Sequence, residues 1–276
     1  MNNIKSFIKS LFQQFGLVDK KCVWIDGGLG SQIIGLLQYK FYKKKDNSFS
    51  CDVSFFKIPK SNKIFLNDTT YREWMLGYYG HDLKDLISKK NVFKLRPNLK
   101  TQGLQLLDFY KYFNKSDEWR ELFPIKPKTY NYLVDKYGIN NIKYSVIHIR
   151  KGDFLKYASL LINDDDVFNL LKSLKNILNK NVFFVSDDVF PMDYMNKINK
   201  ILNLYNVHFI NKEEEFNTHA LMRLSDILVT SNSMFSLSAA LLKKKNTISI
   251  FPKKFFGPKF NTHNLAIDSL TNWTIY

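Results

Sequence analysis

The residues best suited to chemistry lie in "HIRKGD", residues 148–153, where an apolar run gives way to a charged loop. Arginine occurs five times in the chain, at 72, 96, 120, 150 and 223, against a background of lysine. Arg150 therefore stands out for its geometry: a guanidinium is a rigid fork of donors matched to two phosphate oxygens, whereas an ammonium is a point charge. The two-residue period of a strand turns His148 and Arg150 to one side, just ahead of Lys151 and Asp153. A plain ion pair between Arg150 and Asp153, or another acidic neighbour, is the competing reading.

Three further clusters carry chemical potential. In "TSNSMFS", residues 230–236, a strand end passes through Ser231, Asn232 and Ser233 into a helix that bears Phe235 and Ser236. A helix amino end has unpaired N–H groups and partial positive charge, so this turn is either a diphosphate seat or an ordinary cap. In "GGLGSQ", residues 27–32, Gly27, Gly28 and Gly30 precede Gln32 directly after a strand, with Ser31 between. Such glycines allow backbone to approach a ligand closely, or simply make a tight turn. The P-loop ending and the Gly-x-Gly-x-x-Gly spacing are both absent. Asp187 and Asp188, after "FFVS", could bind metal, cap a helix or hold a lysine, but adjacent carboxylates point apart and make a poor joint metal site.

The elements that must position these groups follow from periodicity. "YSVIHIR", "NVFFVSDD" and "DILVTSNS" are apolar runs of strand length that pass abruptly into polar residues, and they alternate with helical stretches such as "DDDVFNLLKSLKNILNK" and "EEEFNTHALMRLS". Continuous apolar strands alternating with helices mean a parallel sheet covered on both faces. Ligands of such sheets bind beyond the carboxyl ends of the strands, where each polar cluster falls. Residues 1–20 place Ile4, Phe7, Ile8, Leu11, Phe12 and Phe15 on one stripe of a helix, packed on the body of the protein or lying in a membrane interface with Lys5 and Lys9 toward the headgroups. Residues 46–140 read as irregular and aromatic-rich, with "FPIKPK" as a linker.

Composition bounds the function. The chain has 276 residues, 45% of them hydrophobic, enough for one large domain or two ordinary ones. A net charge of +16 favours polyanionic company: nucleic acid, an anionic membrane or phosphorylated substrates. The lysines fall in short scattered runs without a nucleic-acid recognition motif, so nucleic acid is not the expected partner. Cys22 and Cys51 form neither a disulfide framework nor a zinc cluster, which fits a reducing, cytoplasmic setting. No run is long enough to span a membrane, and no signal peptide is visible.

Taken in order, "GGLGSQ", "HIRKGD", "FVSDD" and "LMRLSDILVTSNSMFS" resemble the motifs of the bacterial α-1,2-fucosyltransferases of glycosyltransferase family 11. The resemblance spans residues 22 to about 242. It implies a GT-B-like α/β enzyme of two Rossmann-type domains whose parallel sheets face a donor-binding cleft. The expected division is an amino-terminal helix over 1–20, an acceptor-side domain over 21–140, a nucleotide-sugar domain over 141–250, and a tail over 251–276 that packs back on the amino-terminal domain. The implied reaction inverts the anomeric centre of GDP-fucose and passes fucose to a glycan hydroxyl, without metal or other cofactor. Arg150 would hold the β-phosphate and stabilise the leaving group, with Lys151 beside it. His148 and Asp153 would shape the pocket, and Ser231, Asn232, Ser233, Phe235 and Ser236 would bind the diphosphate. Gly28, Gly30, Ser31 and Gln32 would approach from the other domain. Lys151 stands where the family has a second arginine, Ser31 where it has asparagine, and "SLSAALL" where it has a tryptophan-bearing segment. Another nucleotide-activated sugar is the alternative donor. The acceptor is expected to be a bacterial surface glycan, lipid-linked in one version, with the enzyme peripheral on the inner membrane face through residues 4–15. Asp26, Asp153 and Asp187 are candidates for the base by position alone.

Overall fold

The computed structural model describes residues 22–53, 56, 73–86, 118–151, 162–252 and 273–275. The expected amino-terminal helix and Asp153 lie outside these residues. The chain divides into two compact units, Met1–Phe109 and Tyr110–Tyr276.

The first unit begins with β1 (Cys22–Trp24), followed by α1 (Leu29–Lys45) and β2 (Ser50–Asp52), and the two strands pair in parallel. Helix α1 is apolar almost all round, burying Leu29, Ile33, Ile34, Leu36, Leu37 and Phe41, as a core helix must. Gly35 sits against Ile25 so closely that a Cβ would come within 3.1 Å of that side chain. Three lysines close its last turn, Lys43 to Lys45, where cations suit the helix dipole. A 3-10 turn (Leu76–Tyr79) and a single helical turn, α2 (Leu83–Leu86), follow.

The second unit opens with α3 (Glu118–Glu121) and α4 (Pro127–Tyr137). "FPIKPK" is not a linker: Phe123 is fully buried, and Pro127 occupies the first turn of α4, where its missing N–H costs nothing. Gly138, at φ +63°, ends that helix. Then come β3 (Tyr144–Ile149), α5 (Asp164–Leu174), β4 (Asn181–Ser186), α6 (Met192–Ile201), β5 (Asn206–Asn211), α7 (Glu215–Leu224), β6 (Ile227–Val229), α8 (Met234–Leu241), β7 (Ile248–Phe251) and β8 (Trp273–Ile275). All six strands are parallel, in the order β5-β4-β3-β6-β7-β8. Thus the tail's final residues form the edge strand of this sheet.

Counted within the unit, that order is 3-2-1-4-5-6, the doubly wound arrangement of dinucleotide-binding folds. Alternate residues of the strands divide between two faces. Ile147, Ile149, Val182, Phe184, Ile227 and Val229 pack with Val167, Phe168 and Leu171 of α5 and Tyr194 and Ile198 of α6. On the other face Tyr144 stacks edge-on to Phe183, and its hydroxyl donates to the carbonyl of Leu221 in α7. Helix α4 is tied to that layer through Glu213, which accepts from Lys136 Nζ at 2.6 Å and from the hydroxyls of Tyr132 and Tyr137. Among the described residues, no helix is long and apolar enough to cross a membrane.

Candidate functional site

The chain leaves β3 toward one side of the sheet and enters β6 from the other, so the strand order reverses between them. In folds of this kind the carboxyl ends of the two strands flanking that reversal bound the ligand crevice. His148 and Arg150 stand at the end of β3, and Thr230 to Ser233 follow β6. His148 Nδ1 lies 2.7 Å from Ser231 Oγ, a buried hydrogen bond that stitches the switch point shut. Burial first, and then the charge of Arg150, push the imidazole down to about 3, so it is neutral at any physiological pH. It is therefore a fixed dipole holding Ser231, and a poor general base. Its ring also lies 5.8 Å from that of Phe235, which leans in turn on His219 of α7 at 5.5 Å. The cavity between Ile147, His148, Arg150 and Ser231 is only about 10 Å³, room for one water at most.

β3 ends at Ile149, and Arg150 is the first residue beyond it. The register that sets Ile149 beside Ser186 brings Asp187 next to Arg150, and Nη1 lies 2.9 Å from Asp187 Oδ2. The other oxygen of Asp187 accepts the backbone N–H of Lys151 at 3.1 Å. So one carboxylate holds both the guanidinium and the corner where the chain leaves the sheet. Lys151 Nζ pairs with Asp164 at 2.8 Å and lies 4.4 Å from the ring centre of Tyr194. Beside it opens a cleft of about 440 Å³, walled by Lys151, Asn163, Asp164, Phe168, Tyr194 and Lys197.

Helix α8 starts as its sequence requires. Ser233 is extended and its Oγ accepts from Phe235 N–H at 3.2 Å, a standard N-cap. Ser236 is fully buried, and its hydroxyl donates back to the carbonyls of Ser231 and Ser233. The serines thus divide: Ser233 and Ser236 build the turn, Ser231 belongs to the stitch, and Asn232 is 8% exposed beside them. The amino end of α8 follows β6 and so lies at the same carboxyl edge of the sheet as Arg150.

The glycine turn belongs to the first unit. Gly27 has φ +74°, a conformation that favours glycine, and a Cβ there would meet Ser31 at 3.1 Å. Gly28 is the N-cap of α1, and Gly30 lies buried inside it. Gln32, expected to approach a donor, is instead fully buried, with its amide committed inside the unit. Its Nε2 donates to the carbonyls of Gly27 at 2.9 Å and Glu73 at 2.8 Å, and its Oε1 accepts from Met75 N–H at 2.9 Å. Gln32 therefore clamps the turn to residues 73–75.

Arg150 does form the ion pair with an acidic neighbour that its sequence left open; three features could not be placed from the sequence: that the partner is Asp187, the position of His219 under Phe235, and the Gln32 clamp. The first two need the strand order and the packing of α7, and the third joins residues 41 apart in sequence. Among the described residues, no group of three His, Cys, Asp or Glu side chains is arranged to hold a metal.

A doubly wound sheet with an arginine and a hydroxyl-capped helix end at its switch point is the architecture of a nucleotide-binding domain. The sequence model of glycosyl transferase family 11 matches residues 48–276, so the chain belongs to that family. No curated protein sequence matches it significantly. Among solved structures it is similar to POFUT1 in complex with GDP-fucose, at 14% identity over 52% of this chain and 49% of that one, with a TM-score of 0.38. The chain spans about half the length of that protein. It is also similar to E. coli ADP-heptose lps heptosyltransferase II, at 8% identity over 93% of this chain and 90% of that one (TM-score 0.45). A second POFUT1 structure, in complex with GDP, matches at 13% identity over 85% of this chain and 99% of that one (TM-score 0.43).

Proposed function

We propose that the chain is an inverting fucosyltransferase that moves fucose from GDP-fucose to a glycan hydroxyl, in α-1,2 linkage, during assembly of a bacterial surface polysaccharide. The observation that carries this reading is that Arg150 and Ser231, which leads into the cap of α8, line one cavity at the switch point, in a chain whose motif order resembles the α-1,2 enzymes. The acceptor oxygen attacks the anomeric carbon from the face opposite the diphosphate, the bond to the β-phosphate oxygen breaks, and GDP departs with the electron pair. The acceptor proton passes to a base or to solvent. Negative charge grows on the departing phosphate, and donors already aimed there stabilise the transition state more than the ground state.

In this reading Arg150 grips the β-phosphate while Asp187 keeps the guanidinium from swinging. The α8 dipole adds positive potential, with Lys151, itself paired with Asp164, beside it, and in this reading no divalent metal takes part. The cleft of about 440 Å³ beside Lys151 falls in the size range of small-molecule sites.

Calorimetry against a panel of nucleotides tests the donor class, with GDP expected to bind tightest. Preference for another nucleotide redirects the reading to another activated sugar. Arg150→Lys tests the role: it keeps charge and loses the fork, so kcat/KM should fall at least ~10²-fold, about 2.7 kcal/mol. The Arg150–Asp187 pair is partly exposed, with side chains 20% and 27% accessible. Such pairs contribute about 1 kcal/mol or less to stability, so melting should barely move. A destabilised but fully active Arg150→Lys enzyme would sink the assignment.

A further inference from the structure

The edge of the second unit's sheet opposite the site has a surface of its own. The turns that lead into β3, β4 and β5, and the first residue of β7, expose Ile142, Ile177, Leu204 and Ile248 at 37%, 49%, 73% and 41%. All four lie at the amino-terminal ends of strands. Across the order β5-β4-β3-β6-β7 they spread over roughly 19 Å, given about 4.8 Å between neighbouring strands. Exposed lysines stand among them: Lys143, Lys175, Lys180, Lys200, Lys244 and Lys245. Among these turns and the one before β6, the only carboxylate is Asp226, and it accepts the backbone N–H of Tyr144 at 3.0 Å. The opposite edge is acidic, with Asp164, Asp165, Asp166, Asp187, Asp188 and Asp193 near the carboxyl ends of β3 and β4. The strand-end turns thus carry mostly lysines, although the exposed Glu118 and Glu121 of α3, which Arg120 ties to the Lys243 carbonyl, flank them.

We propose that this amino-terminal edge docks on an anionic lipid bilayer, with the four aliphatic side chains entering the interface and the lysines meeting the headgroup charge. Separated aliphatics embedded in a lysine field suit a boundary that is apolar a few ångströms below an anionic surface. A second copy of the chain suits it poorly, because a two-fold contact would set lysines against lysines. Nucleic acid would engage the lysines alone and leave the aliphatics in water. Docked this way, Arg150 stands about 20 Å above the membrane, the rise of a six-residue strand at 3.3 Å per residue. The proposal does not rest on the identity of the donor.

Co-sedimentation of the full-length protein with vesicles tests it, comparing phosphatidylglycerol/phosphatidylcholine with phosphatidylcholine alone. The wild type should prefer the anionic vesicles. Ile177→Ser with Leu204→Ser, and separately Lys143→Glu with Lys175→Glu, should each weaken binding at least ~10-fold at an unchanged melting temperature. Because residues 1–20 are retained throughout, binding unaltered in both double variants overturns the proposal. So does equal binding to the neutral vesicles. Loss in the lysine variant alone, paralleled by loss of binding to duplex DNA, marks the edge as a polyanion site and overturns it as well.

Discussion

Mild acid should weaken this protein through two buried imidazoles. His148 is lowered to about 3 by burial and then by Arg150, and His219, fully buried on α7, is lowered well below 6.5 by burial and then by Arg223. In the unfolded chain both titrate near 6.5. Between these values the unfolded state binds more protons than the native state, so stability is full above pH 6.5 and is lost as pH falls. From pH 7 to pH 5 each imidazole costs about 2 kcal/mol, and the pair about 4 kcal/mol, against a typical total of 5–15 kcal/mol. Glu213 does not blur this window. Burial pushes it up, but hydrogen bonds from Lys136, Tyr137, Asn217 and the Glu214 N–H outweigh that and hold it at about 2. Its contribution is therefore lost only below about pH 4.5. Urea unfolding at pH 7, 6 and 5 should show the slope, and His148→Asn or His219→Asn should each remove about half of it. If both variants keep the wild-type slope, the imidazoles are not buried neutral groups, and the account of the His148–Ser231 stitch fails with them.

Two other outcomes follow from the same residues. If Arg150 and the α8 amino end neutralise the diphosphate as proposed, turnover should persist in excess EDTA; activity lost in chelator and restored by magnesium or manganese would promote Asp187 and Asp188 to ligands. Gln32→Ala should lower stability by about 1–3 kcal/mol, because the carbonyls of Gly27 and Glu73 and the N–H of Met75 lose buried partners together, and thermal melting reads the loss directly.

What could be read from the sequence, and what could not, divides by the range of the forces involved. The strand ends at Ile149 and Val229 and the cap at Ser233 are local facts: an apolar run stops, a hydroxyl accepts an N–H two residues on, and the residue types announce it. The parallel sheet was legible for the same reason, because β3 and β4 are buried along nearly their whole length. Strand β5 is not: it lies at the sheet's edge, most of its side chains reach solvent, and "NVHFIN" shows no continuous apolar run. Strands β7 and β8 have four and three residues, too short for periodicity to speak. The partner of Arg150 depends on those long-range facts. Both carboxylates of "SDD" are equally near in sequence, and only the pairing of Ile149 with Ser186 selects Asp187. That selection changes the chemical meaning of the arginine. Alone at a strand end, Arg150 could pivot toward any anion; held by Asp187, which also grips the Lys151 N–H, it has one direction fixed before a substrate arrives. Preorganisation of this kind separates a charge that merely attracts a phosphate from one that stabilises its departure.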